Sequence, residues 1–300
     1  TFNSKLFLRL PPSSMNMTIN DYKAIIFMHH GLTAHSGTHA YLAIDYALLG
    51  CVVVGFDYRG HGQSEGTSGD IEGFQEIKED ALMFMRLTEE YFIKKYREHK
   101  SSSNQEYSIS DKPAFLNNKF LWGLSLGGYL SYELSREKPL EYKGVILLSP
   151  AMKLRIFPYT MLPMKILASL FPKMALLKWL MKESLVQKNP SYFDKPDPLV
   201  FNTQVRIRSL FALMERVEQE KNKYREYETP FVIVIPGVDK LVPPIGQMEF
   251  FMEAKSKDKQ VWYYPNAWHA LIDEEEMIEI NQRIQNWIKQ RINKIELPKF

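Results

Sequence analysis

The 300-residue sequence predicts an α/β fold, a mostly parallel, doubly wound sheet carrying an inserted helical cap. Three observations predict it. Short apolar runs without polar alternation recur along the chain, as expected of strands buried on both faces. Segments with apolar residues at three- and four-residue steps lie between them, so strands alternate with helices. About eighty residues then separate two of the runs, where a crossover needs only a dozen or so, and this marks an insertion. With 45% hydrophobic and 24% charged residues, the chain has the apolar content for a large core and lacks the composition of a disordered segment.

Taken in order, residues 5–10 and 24–28 read as strands closed by Pro11-Pro12 and His30-Gly31. Residues 50–56 form a third, followed by a loop holding Gly60, Gly62, Gly66 and Gly69. Over 74–91, Phe74, Ile77, Ala81, Phe84, Met85 and Thr88 fall on one face of a helix. Residues 98–118 are polar, with Ser101-Ser102-Ser103 and Asn117-Asn118, and are expected to be a surface loop of little structural consequence. A strand over 119–123, a helix over 126–136, strands over 144–149, 231–236 and 260–264, and a last helix over about 273–294 complete the alternation. The expected division is a core of residues 1–150 and 229–300 and a cap of residues 151–228.

Composition excludes several function classes. The net charge of +3 arises from 38 basic and 35 acidic residues spread along the chain, so no nucleic-acid partner is expected. Cys51, the single cysteine, sits in an apolar run and reads as a buried packing residue; it excludes an intrachain disulfide and a multi-cysteine zinc site. The longest charge-free stretch, 24–44, contains four histidines and cannot serve as a spanning helix. The amino end lacks the basic, apolar and small-residue order of a secretory signal, and a cytoplasmic location is expected.

Gly123-Leu124-Ser125-Leu126-Gly127-Gly128 follows an apolar run and opens a helix, the context that a nucleophile elbow requires. A sharp strand-to-helix turn puts Ser125 in a strained conformation, and side chains two residues either way would collide with the neighbouring strand and helix. In this arrangement the chain order is nucleophile, acid, base. Of seven histidines only His269 follows Ser125, so it is the expected base. Four aspartates lie between the two, Asp194, Asp197, Asp239 and Asp258. Asp239 follows a strand and its turn, which puts it at the same sheet edge, where it would orient His269; capping the turn before Val242-Pro243 is its other reading. The other three sit beside prolines or in a lysine-rich loop, where solvated surface is expected.

His29-His30-Gly31-Leu32 follows the second strand, where a second oxyanion donor is taken, so the backbone amides of Leu32 and Leu126 are assigned to the oxyanion. The substrate pocket is expected among Gly31, Leu32, Leu126, Leu241 and Val242. His29, His30, His35 and His39 lack an intervening glutamate or a carboxylate-rich partner, so no metal is expected. Asp57 and Arg59 are expected to pair and hold a loop rather than do chemistry.

With these segments in view, the sequence resembles the monoacylglycerol lipase branch of the α/β-hydrolase superfamily, a branch related to serine aminopeptidases and lysophospholipases. The match is carried by His29-His30-Gly31-Leu32 with His35-Ser36-Gly37, by Asp57-Tyr58-Arg59-Gly60-His61-Gly62-Gln63-Ser64, by the Ser125 elbow, by Gly237-Val238-Asp239-Lys240-Leu241-Val242, and by Ala267-Trp268-His269. Asp197-Pro198-Leu199-Val200 resembles the stretch near the end of the family's cap. The resemblance implies an α/β-hydrolase fold and cofactor-free hydrolysis of monoacylglycerol or lysophospholipid esters. A small-substrate carboxylesterase or serine aminopeptidase is the alternative enzyme, and a non-catalytic ligand-binding protein of the same fold is the alternative from another class. The insertion at 100–118 and the cap sequence depart from the family.

In the cap, residues 156–185 are rich in large apolar side chains interspersed with Lys165, Lys173, Lys178 and Lys182. This composition suits peripheral contact with an anionic bilayer, and it equally suits packing of the cap onto the core. Pro158, Pro163 and Pro172 are expected to break the segment into short helices.

Overall fold

Every residue of β2 (Ala24–His29), β3 (Cys51–Phe56), β4 (Lys119–Leu124) and β6 (Phe231–Pro236) is buried. That is the consequence of unalternated apolar runs in a sheet covered on both faces. The structure is a computed structural model and describes residues 5–103, 108, 110–154, 158–175, 197–200 and 205–293, without the side chains of 158–160. With β1 (Leu6–Arg9), β5 (Tyr142–Leu148) and β7 (Lys259–Tyr264), seven strands form one sheet in the order β1-β3-β2-β4-β5-β6-β7. Only β1 runs antiparallel, paired to β3 at one edge.

Side chains alternate across the sheet within each strand. Ile25, Phe27, Val52 and Val54 face one core with Phe74 and Ile77 of α2 (Phe74–Ser102), Tyr129 of α3 (Leu126–Glu137) and Phe250 of α6 (Pro244–Glu253). Ala24, Ile26, Cys51 and Val53 face the other, with Leu42 and Tyr46 of α1 (Ala40–Leu48) and Ile284 and Trp287 of α7 (Met277–Ile292). Cys51 is fully buried. Two of these helices, α1 and α6, were not separately anticipated; Pro244 in the first turn of α6 is a helix-start signal.

The stretch 98–118 departs from expectation. Helix α2 continues to Ser102, and a 3₁₀ turn at Ala114–Asn117 leads directly into β4. Phe115 and Leu116 are each 1% exposed, and the Phe115 ring lies 5.6 Å from Tyr22 and 5.3 Å from Phe92. The end of this loop is therefore a plug in the core, driven by the burial of two large apolar side chains. Residues 104–107 and 109 lie outside the described residues.

Between β5 and β6 lie α4 (Pro158–Leu170) and α5 (Ile207–Glu220). Pro163 was expected to break a helix but lies inside α4. Met161, Met164, Leu167 and Ala168 pack on Ile207 and Phe211 of α5, and this contact holds the helix through the lost hydrogen bond. The opposite face of α4 presents Leu162, Ile166 and Leu170, each more than half exposed. Farther along α5, Leu213 and Val217 join the core of the sheet. Ile156, Phe157, Leu176, Leu177, Lys178, Trp179, Leu180, Met181, Lys182 and Asp194 lie outside the described residues.

Candidate active site

The carboxyl ends of the parallel strands meet at one edge of the sheet, and four of them carry the residues singled out above. Ser125 joins β4 to α3 with φ 54°, a left-handed conformation that costs a non-glycine residue on the order of 1–3 kcal/mol. The surrounding backbone holds it there: the Ser125 amide donates to the Leu148 carbonyl at 3.0 Å, and the Ser125 carbonyl accepts from Tyr129 and Ala151. The glycines follow from sterics, since a Cβ on Gly123 would collide with the Gly127 carbonyl and one on Gly127 with the His29 carbonyl.

Asp239 lies on the turn after β6 and His269 on the loop after β7, 3% and 4% exposed. Asp239 Oδ1 accepts the amides of Leu241 at 2.9 Å and Val242 at 2.7 Å, while Oδ2 lies 2.6 Å from His269 Nδ1. One carboxylate thus caps its own turn and binds the imidazole. A carboxylate only accepts, so Nδ1 carries the proton and Nε2 is left as acceptor for the Ser125 hydroxyl at 2.9 Å. Of the other aspartates between Ser125 and His269, Asp197 accepts from His35 Nε2 at 2.8 Å and Asp258 pairs with Arg291.

The histidines at the end of β2 and just after it have structural partners. His29 donates through Nδ1 to Ser131 Oγ at 2.8 Å, and Ser131 donates to the Gly127 carbonyl, tying β2 to the elbow helix. His30 Nε2 accepts the Tyr58 amide, so its Nδ1 donates to the Gly31 carbonyl at 2.8 Å. Burial pushes both His29 and His39 down to about 3 and lowers His30 as well, keeping these imidazoles neutral. Among the described residues no group of three or more His, Cys, Asp and Glu side chains is arranged to hold a metal ion. Asp57 accepts from the Ser36 and Gln63 amides and Arg59 binds Asp80 and Glu72, so the two hold their loop through these separate partners.

The expected pocket residues divide. A Cβ on Gly31 would stand 3.6 Å from that of Ser125, and Leu32 and Leu241 are partly exposed. Leu126 and Val242, 0% and 1% exposed, instead pack in the core beneath the site, because their backbones start α3 and the turn before α6. Two contacts went unread in the sequence. Lys240 Nζ lies 4.0 Å over the Trp268 ring, linking the Asp239 and His269 loops, and Ser149, with φ 38°, donates its hydroxyl to the His269 carbonyl at 2.8 Å. The first had a signal in the adjacency of each residue to Asp239 or His269; the second depends on a main-chain partner 120 positions away.

The serine aminopeptidase S33 family matches residues 20–276. The chain is 27% identical to the monoglyceride lipase of Mus musculus over 279 residues, covering 90% of this chain and 84% of the relative. Among solved structures it superposes on the monoacylglycerol lipase of Paleococcus ferrophilus with a TM-score of 0.72 at 21% identity, covering 97% of this chain and 99% of that one. A soluble variant of monoglyceride lipase from Saccharomyces cerevisiae, in complex with a substrate analog, gives 0.72 at 19% identity, covering 98% and 93%.

Proposed function

The chain belongs to the serine aminopeptidase S33 family of α/β-hydrolases, and from that membership we propose that it hydrolyses carboxylic esters of lipid-like alcohols, monoacylglycerols or lysophospholipids, through an acyl-enzyme at Ser125. The observation that carries this reading is the unbroken hydrogen-bond chain from Asp239 through His269 to Ser125, 2.6 Å and then 2.9 Å.

In the proposed reaction Ser125 Oγ attacks the ester carbonyl while His269 Nε2 takes its proton. The tetrahedral oxyanion is held by the backbone amides of Leu32 and Leu126, each worth roughly 2.7–4 kcal/mol in comparable sites. In support, the His30 Nδ1–H grips the Gly31 carbonyl, and a trans peptide directs the Leu32 amide to the opposite side. Collapse expels the alcohol, which takes the proton from His269; water then attacks the acyl-enzyme with His269 again as base, and collapse of the second tetrahedral species breaks the Ser125 Oγ–acyl bond, returns the His269 proton to Ser125 Oγ and releases the carboxylic acid. Asp239 holds the tautomer and stabilises the imidazolium. Substrate is proposed to enter past Gly31, Leu32 and Leu241.

Residues 1–150 and 229–300 are proposed to form the catalytic core and 151–228 the cap. No helix among the described residues is long and apolar enough to cross a membrane. Peripheral contact is proposed through the outer face of α4, where Leu162, Ile166 and Leu170 stand beside Lys165. The similarity to monoglyceride lipases favours lipid esters, while the aminopeptidase description of the family keeps a peptidase reading in play.

Values of kcat/KM for glycerol monoesters of increasing acyl length, alongside aminoacyl anilides, separate these readings. A rise with chain length and loss of all turnover in Ser125→Ala are expected. A sharp fall beyond short acyl chains, or preferential cleavage of the anilides, would defeat the lipid reading.

A further inference from the structure

We propose that Ser149 is a positioning residue for the base, holding His269 by its main chain; this rests on reading Ser125, Asp239 and His269 as the catalytic triad. Ser149 is the first residue beyond β5, fully buried, and its φ of 38° is one that an L side chain adopts at a cost. Glycine would occupy the same backbone without that strain. The side chain present in its place makes one hydrogen bond, from Oγ to the His269 carbonyl at 2.8 Å.

The neighbouring contacts give that bond its significance. The Ser149 amide donates to the Val234 carbonyl at 3.0 Å, which fixes Ser149 to β6. One residue earlier, the Leu148 carbonyl accepts the Ser125 amide at 3.0 Å. The dipeptide Leu148-Ser149 therefore grips the nucleophile through one residue and the base through the next. His269 gains two anchors on different strands, Asp239 after β6 for its ring and Ser149 after β5 for its backbone, so the separation between Nε2 and Ser125 Oγ is set from the sheet itself.

The His269 carbonyl also accepts the Leu271 amide at 2.9 Å. Removing the Ser149 hydroxyl leaves that carbonyl satisfied, so the loss should appear in the alignment of the base rather than in the stability of the fold.

The test compares Ser149→Gly and Ser149→Ala with wild type by Tm, by kcat and KM on a soluble short-chain ester, and by the rate of fluorophosphonate labelling. Glycine accepts the left-handed backbone and lacks the hydroxyl, so Ser149→Gly should fold with a Tm within a few degrees of wild type. Its kcat and its labelling rate should fall together by about 10- to 100-fold, as expected for a displaced catalytic group, with KM little changed. Ser149→Ala, which keeps the backbone strain of wild type, should show the same loss in kcat with a Tm no higher than that of Ser149→Gly. A Ser149→Gly enzyme with wild-type kcat and labelling rate overturns the proposal while leaving the triad intact, and a Ser149→Gly chain that fails to fold overturns it by making the hydroxyl structural. Wild type that takes no label refutes the triad reading and the proposal with it.

Discussion

Asp239 meets His269 through Oδ2 at 2.6 Å while its Oδ1 is fully engaged by the amides of Leu241 and Val242. That division makes Asp239→Asn informative. The asparagine oxygen must stay on the two amides, which turns its NH₂ group toward His269 Nδ1. The imidazole is then forced into the Nε2–H tautomer, which cannot accept the Ser125 proton. The expected result is a fall in kcat of about 10⁴-fold with Tm nearly unchanged, measured by ester hydrolysis and thermal unfolding.

The buried histidines set an acid limit to stability. His29 and His39 are held down to about 3 by burial, whereas in the unfolded chain they titrate near 6.5. Below pH 6.5 the unfolded state therefore binds more protons than the folded one, and stability falls as pH drops from about 6.5 toward 3, on the order of 1.4 kcal/mol per pH unit for each histidine. Asp273 opposes this, since burial and the neighbouring Glu274 push it up to about 6, and it favours folding as pH falls from 6 toward 3.8. Two histidines outweigh one carboxyl. Urea midpoints at pH 7 and pH 5 should show a clear loss, and His39→Gln should flatten the slope.

Phe115 offers a test of the unexpected plug in the core. At 1% exposure, with Tyr22 and Phe92 against its ring, truncation in Phe115→Ala should cost about 3–5 kcal/mol by chemical denaturation. A cost under about 0.5 kcal/mol would be that of an exposed loop residue.

On α4, the outer residues can be changed without touching the contact with α5. Leu162→Asp combined with Ile166→Asp should reduce co-sedimentation with anionic lipid vesicles several-fold and leave hydrolysis of a short soluble ester as in wild type. The change Leu167→Ala, at a partly buried position against α5, should instead lower stability by about 1–2 kcal/mol.

How far these features could be read from the sequence depends on where each signal lay. The parallel strands were legible because runs such as Phe231-Val232-Ile233-Val234-Ile235 have no polar face. The candidate triad residues were legible through order, since only one histidine follows Ser125. Helix α1 was obscured because its apolar residues continue from the histidine-rich loop, and α6 because Pro243-Pro244 reads first as a turn. Pro163 misled because local propensity yields to the packing of α4 on α5. Phe115 and Leu116 were hidden by the polar residues around them, although two adjacent large apolar side chains there were a usable signal. The role of Ser149 had no local trace, because both its positive φ and its partner exist only once β5, β6 and the His269 loop are assembled.

Activation of Ser125 as a nucleophile is tested by intact-mass analysis after incubation with a fluorophosphonate. One covalent adduct is expected on the wild-type chain, mapped to Ser125 by peptide digestion and absent in Ser125→Ala. Folded wild type that remains unmodified, or Ser125→Ala that is modified as readily as wild type, would contradict it.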